Sequence, residues 1–78
     1  MNEWLSRRAD ALAEATGLGR ETLELEPHEI QGLLDVAAFA AHESGARTNA
    51  PLVCYLLGVA RDSGKSLDEL AEIVRSTS

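Results

Sequence analysis

Cysteine is nearly absent from this chain: Cys54 is the only one among 78 residues. An internal disulfide is therefore impossible, and a structural zinc site built on several thiolates is excluded. A lone thiol also suits a reducing compartment. Aromatic residues are few, with one Trp, one Tyr and one Phe. Basic residues number 7 against 13 acidic ones, for a net charge of −6. They are scattered along the chain, which argues against phosphate-backbone binding, since that needs clustered Lys and Arg. No apolar run approaches the roughly 20 residues that span a bilayer. The opening Met1-Asn2-Glu3-Trp4 mixes charges in before any apolar run, unlike a secretory signal, and a cytoplasmic location is the expectation.

What is present is helical patterning. Asn2 is a candidate N-cap for a first helix from Glu3 to Ala15, with Leu5, Ala9, Leu12 and Thr16 inward. Trp4 and Arg8 lie four apart on its flank, the spacing of a cation–π contact. Gly17 and Gly19 end this helix, with Leu18 as the hydrophobic contact of the cap. Arg20 to Glu26 reads as a connector that pins Leu23 and Leu25. Pro27 opens a second helix, as proline fits the first helical position. Ile30, Leu34, Ala37 and Ala41 form its stripe, widened by Leu33 and Ala40. Gln31, Asp35, Phe39, His42 and Glu43 occupy the opposite face. Phe39 stands alone there, either covered by a loop or terminus or exposed to a partner.

Ser44-Gly45 stops the second helix, and Thr48 or Asn49 caps a third that contains Pro51. Ala50 to Ala60 has no charged residue, and most of its circumference is apolar. Such a helix is ordinarily enclosed by others. Ala50, Cys54 and Gly58 make its one thin side, so leucine at Gly58 is expected to overpack, at a cost of about 1–3 kcal/mol. Ser66 and Glu69 form a capping box for a last helix, with Leu67, Leu70, Ala71 and Val74 buried and Ser76-Thr77-Ser78 fraying. The fold expected is all-α, a single domain over residues 1–78: a compact four-helix bundle with a buried central third helix.

Chemistry is harder to find. His28, His42 and Cys54 lie on separate elements without metal-ligand spacing, and burial of Cys54 in an apolar helix makes an inert thiol. No catalytic set, metal site or cofactor is expected. Acyl carrier proteins are acidic four-helix domains of this length, but their carrier serine lies in Asp-Ser-Leu at the second helix. Here Glu26-Pro27-His28-Glu29-Ile30 has no serine, so that reading is rejected. The turn before the third helix places His42, Arg47, Thr48 and Asn49 near free amides and a helix dipole, where a phosphorylated ligand can bind. Alternatively, Thr48 or Asn49 simply caps the helix while Arg47 pairs with Glu43.

Leu33-Leu34-Asp35-Val36-Ala37, Ala41-His42, Arg47, Ala50-Pro51-Leu52 and Tyr55-Leu56-Leu57-Gly58, with the opening Glu3-Trp4-Leu5, carry a resemblance. Together they resemble a small uncharacterised, mainly actinobacterial helical domain family, found alone or fused behind molybdenum cofactor guanylyltransferase. The resemblance implies a non-catalytic accessory domain that binds a partner protein, with a molybdenum cofactor guanylyltransferase as the candidate partner. Trp4, Phe39 and Tyr55 are the residues expected at a partner contact. A chain this small, lacking disulfide and evident metal, is also expected to gain stability from a second subunit. A homodimer with Phe39 or Tyr55 near the contact is the form anticipated.

Overall fold

Asn2 starts the first helix as its sequence position requires: its side chain accepts from the Leu5 amide at 2.8 Å. The computed structural model describes residues 1–77. Among them are four α-helices, α1 (Glu3–Thr16), α2 (Pro27–Ser44), α3 (Asn49–Ala60) and α4 (Leu67–Ser76), with 3₁₀ turns at Arg20–Leu23 and Arg61–Ser63. The fold class is thus the all-α, four-helix one anticipated. No helix among the described residues is long and apolar enough to cross a membrane. Contacts gather into two units, residues 1–30 and residues 31 onward, the boundary falling within the first turns of α2.

In the first unit α1 ends at Gly17, whose φ of 76° is costly for any residue with a Cβ. Its amide donates to the Ala13 carbonyl at 2.9 Å. Only Ala9 of the expected inward set is buried. Leu5 and Leu12 remain exposed, as does Leu18, and the covered side turns towards half-buried Ser6 and Ala13. Arg20 ties the connector to α1 through Nε, 2.6 Å from Asp10 Oδ1. Its Nη1 lies 3.0 Å from Glu24 Oε1, a second ion pair within the same unit. These carboxylates hold the guanidinium pKa above its ordinary value, the Asp10 hydrogen bond most of all. Leu23 and Leu25 are half-buried, as a pinning connector requires. Pro27 opens α2, and the Glu29 carboxylate reaches back to accept from the Glu26 amide at 2.8 Å. Glu29 is buried because it closes this helix start.

In the second unit α2 keeps most of its expected stripe, with Leu33, Ala37 and Ala41 half-buried, but the covered side is centred nearer Val36 than Leu34. Val36 is fully buried and Ala40 buried, while Leu34 is 60% exposed. Gly45, at φ 72°, ends the helix. α3 presents Val53, Cys54 and Leu57 inward, of which only Leu57 is buried. The expectation of a fully enclosed third helix is therefore corrected. Gly58 faces outward, and a Cβ built on it meets nothing within 4 Å, so leucine there would not overpack this chain. α4 follows its pattern closely. Ser66 Oγ accepts from the Glu69 amide at 3.1 Å, Glu69 Oε1 accepts from the Ser66 amide at 3.0 Å, and Leu67, Leu70 and Ala71 are buried. The Ser76 and Thr77 hydroxyls donate to the Ile73 carbonyl, which closes the helix where fraying was expected. Ser78 lies outside the described residues.

Candidate functional site

The outer side of α3 is the largest departure from ordinary patterning. Leu52, Tyr55, Leu56 and Val59 follow the i, i+3, i+4, i+7 rule and so form one stripe, each between 56% and 71% exposed. Soluble monomers rarely expose contiguous apolar patches beyond a few hundred Å² without a use for them. Single exposed leucines are common; a helical stripe of four is not.

Beside the stripe runs a groove of about 300 Å³ walled by α2, α3 and α4. Phe39 and Ala40 contribute from α2, Leu52, Val53 and Leu56 from α3, and Val74 from α4. Glu43, Ser44 and Asn49 supply the polar rim. Phe39 is half-buried and lines this groove. Its place on α2 brings it into this wall. The sequence pattern gave no sign of Leu52, Leu56 and Val59 as surface residues. The signal that could have found them is the lack of any charged residue on α3, which fits a face covered by something outside the chain as well as one covered inside it.

The other expected contact residues divide. Tyr55 lies on the α3 stripe, whereas Trp4 lies on α1 in the first unit. Trp4 is exposed and Arg8 Cζ sits 4.1 Å above its ring centroid, the expected cation–π geometry. With Glu3 and Arg7, paired at 2.7 Å, they border a shallow recess.

The turn before α3 has less to offer an anion than its sequence suggests. His42, Arg47, Thr48 and Asn49 are all exposed. The Asn49 and Ala50 amides already donate to the Ala46 and Arg47 carbonyls at 3.0 and 3.1 Å, and Pro51 has no amide proton. Thr48 occupies the cap position in a helical conformation, φ −65° and ψ −19°, without a side-chain cap bond. The Arg47–Glu43 pair is not among the ion pairs of the described residues. Asn49 belongs to the groove rim rather than to an anion cradle.

Cys54 is half-buried, its Sγ 3.8 Å from the Leu33 carbonyl of α2. Burial pushes its thiol pKa above the ordinary 9.0, the direction of an inert thiol. Among the described residues no three His, Cys, Asp or Glu side chains gather as metal ligands would.

The chain belongs to the family described as a domain of unknown function, DUF6457, which it matches over residues 1–78. No curated protein matches it, and no solved structure does.

Proposed function

We propose that the chain is a non-catalytic helical interaction domain that docks protein through the outer face of α3 and the adjoining groove. The observation that carries this reading is the uncharged stripe of Leu52, Tyr55, Leu56 and Val59, exposed beside an apolar groove with Phe39 in its wall. A few apolar and aromatic anchors next to a recess, with polar groups at the rim, are the anatomy of protein interfaces. The non-catalytic part is supported by the Cys54 thiol, turned to a backbone carbonyl and held protonated. The resemblance of the α2 and α3 motifs makes a molybdenum cofactor guanylyltransferase the first partner to try. An accessory role in that cofactor's synthesis, in the cytoplasm, belongs to the same proposal. The rival, a phosphorylated ligand at His42, Arg47, Thr48 and Asn49, is the weaker reading because the amides it needs are taken.

Amide NMR tests both. Titration with the purified guanylyltransferase is expected to shift the Leu52–Val59 signals, and Leu56→Glu is expected to abolish the shifts. Shifts confined to residues 42–49 with millimolar phosphate-bearing ligands, and none on α3 with protein, would reverse the order of the two readings.

A further inference from the structure

We propose that the groove between α2, α3 and α4 receives an amphipathic helix of the partner, its apolar anchors flanked by Lys or Arg. This rests on the reading that the face binds protein, and adds the chemistry of the segment that enters. The groove, about 300 Å³, is at the small end for a free ligand and lies open beside exposed Leu52 and Leu56. Side chains of a partner fill such a space better than a small molecule does. Strand addition needs a sheet edge, and polyproline docking needs an aromatic-lined groove. The described residues form helices and turns, and Phe39 is the only aromatic in the wall. A helix laid along the apolar face is the mode that fits.

Charge selects its flanks. Asp35, Phe39 and Glu43 lie four apart and form one ridge along α2. The aromatic of the wall therefore has a carboxylate one turn away in each direction, Glu43 on the groove rim and Asp35 beyond it. At 1.5 Å per residue the two acidic positions are about 12 Å apart along the axis. Both are exposed. Glu43 is not in the ion pairs of the described residues. Asp35 accepts from the Gln31 side-chain amide at 2.9 Å, a neutral donor that leaves its charge standing. α3 offers no cation to offset them. On α4, Arg75 beside Val74 lies 3.7 Å from Glu72. His42 and Arg47 are exposed and outside the groove wall. The helix ends add to the same sign. Ser44 closes α2 on the rim, and Val74 sits in the last turn of α4, so two negative dipole ends meet there. The positive end of α3 is largely spent, its Asn49 and Ala50 amides bonded and Pro51 having none.

Selection from a displayed library of amphipathic helices tests this, with a fixed leucine stripe and flanks randomised over Lys, Gln and Glu. Helices that bind wild type are expected to carry Lys over Glu at the flanks by about tenfold, less at high salt. The double variant Asp35→Lys, Glu43→Lys, folded by circular dichroism, is expected to invert the preference to Glu. Leu56→Glu is expected to bind none of the selected helices. Flanks without a Lys preference overturn the proposal. A Lys preference that the double variant keeps does so too, because the net −6 rather than the ridge would then be attracting cations. So does a library that yields no binder. If the Leu52–Val59 amides still shift with the guanylyltransferase, only the chemistry of the occupant was misassigned; if they do not, the reading of the face falls too.

Discussion

α3 and α4 are neighbouring helices of similar length, and they solve the problem of facing water in opposite ways. α4 buries Leu67, Leu70 and Ala71 and gives its other side to Asp68, Glu69, Glu72 and Arg75. Its start is closed by a reciprocal pair of hydrogen bonds between Ser66 and Glu69. α3 buries Leu57 alone, leaves its larger apolar side chains outside, and begins at a threonine whose side chain caps nothing. One helix is finished within the chain and the other is not. Amphipathic contrast tells which way a helix faces, and a helix without contrast only announces that it wants covering.

Truncation separates the two helices most sharply. Leu70→Ala should cost about 2–5 kcal/mol, because the side chain is buried and leaves a cavity. Leu56→Ala, in protein dilute enough to be monomeric, should fall within about 0.5 kcal/mol of wild type. Urea unfolding of both variants reads the difference, and equal losses would mean that α3 is covered within the chain after all.

The caps come next. Ser66→Ala should destabilise by about 1 kcal/mol, while Thr48→Ala should change little, as no side-chain bond is lost. Gly58→Ala should stabilise: the helix gains by roughly 0.5–1 kcal/mol in dilute protein, since the added methyl meets nothing. A loss of stability there would place a close neighbour over Gly58 within the monomer.

The smallest effect is one of pH. The Glu69 carboxyl titrates below its ordinary 4.5, held down by hydrogen bonds from the Ser66 amide first and its hydroxyl second. Its contribution is complete above the unfolded value and drains away as pH falls through the lowered folded one. Acid titration of wild type against Glu69→Gln should therefore show wild type losing the more stability below about 4.5.

Much of the local structure was legible because it is written in short-range chemistry. The Asn2 cap, the Gly17 stop and the Ser66–Glu69 box each involve residues within a few positions of one another, and each formed as read. What failed was the rotation of helices about their axes. On α2 most of the stripe was placed correctly, but the leucine at 34 was drawn into it, and Val36, which is fully buried, was overlooked because alanines on all sides blur the periodicity. On α3 a uniform apolar surface offered no contrast, so enclosure was inferred from the chain alone. The cap at Thr48 failed for another reason. A backbone turn took the amides first, and only the loop conformation decides that. The groove was invisible because its walls come from three helices, α2, α3 and α4.

Cys54 has a use that follows from where its sulfur points. A thiol turned to the Leu33 carbonyl, with its pKa raised by burial, reacts slowly with alkylating reagents while α3 lies on α2. Where reaction needs α3 to lift, the labelling rate measures the free energy of that local opening rather than of global unfolding. The protein carries its own clock for the attachment of α3. If mass spectrometry finds Cys54 labelled at the rate of a free peptide thiol, the helix spends much of its time detached. A rate slowed in proportion to urea-measured stability would tie α3 to the cooperative fold.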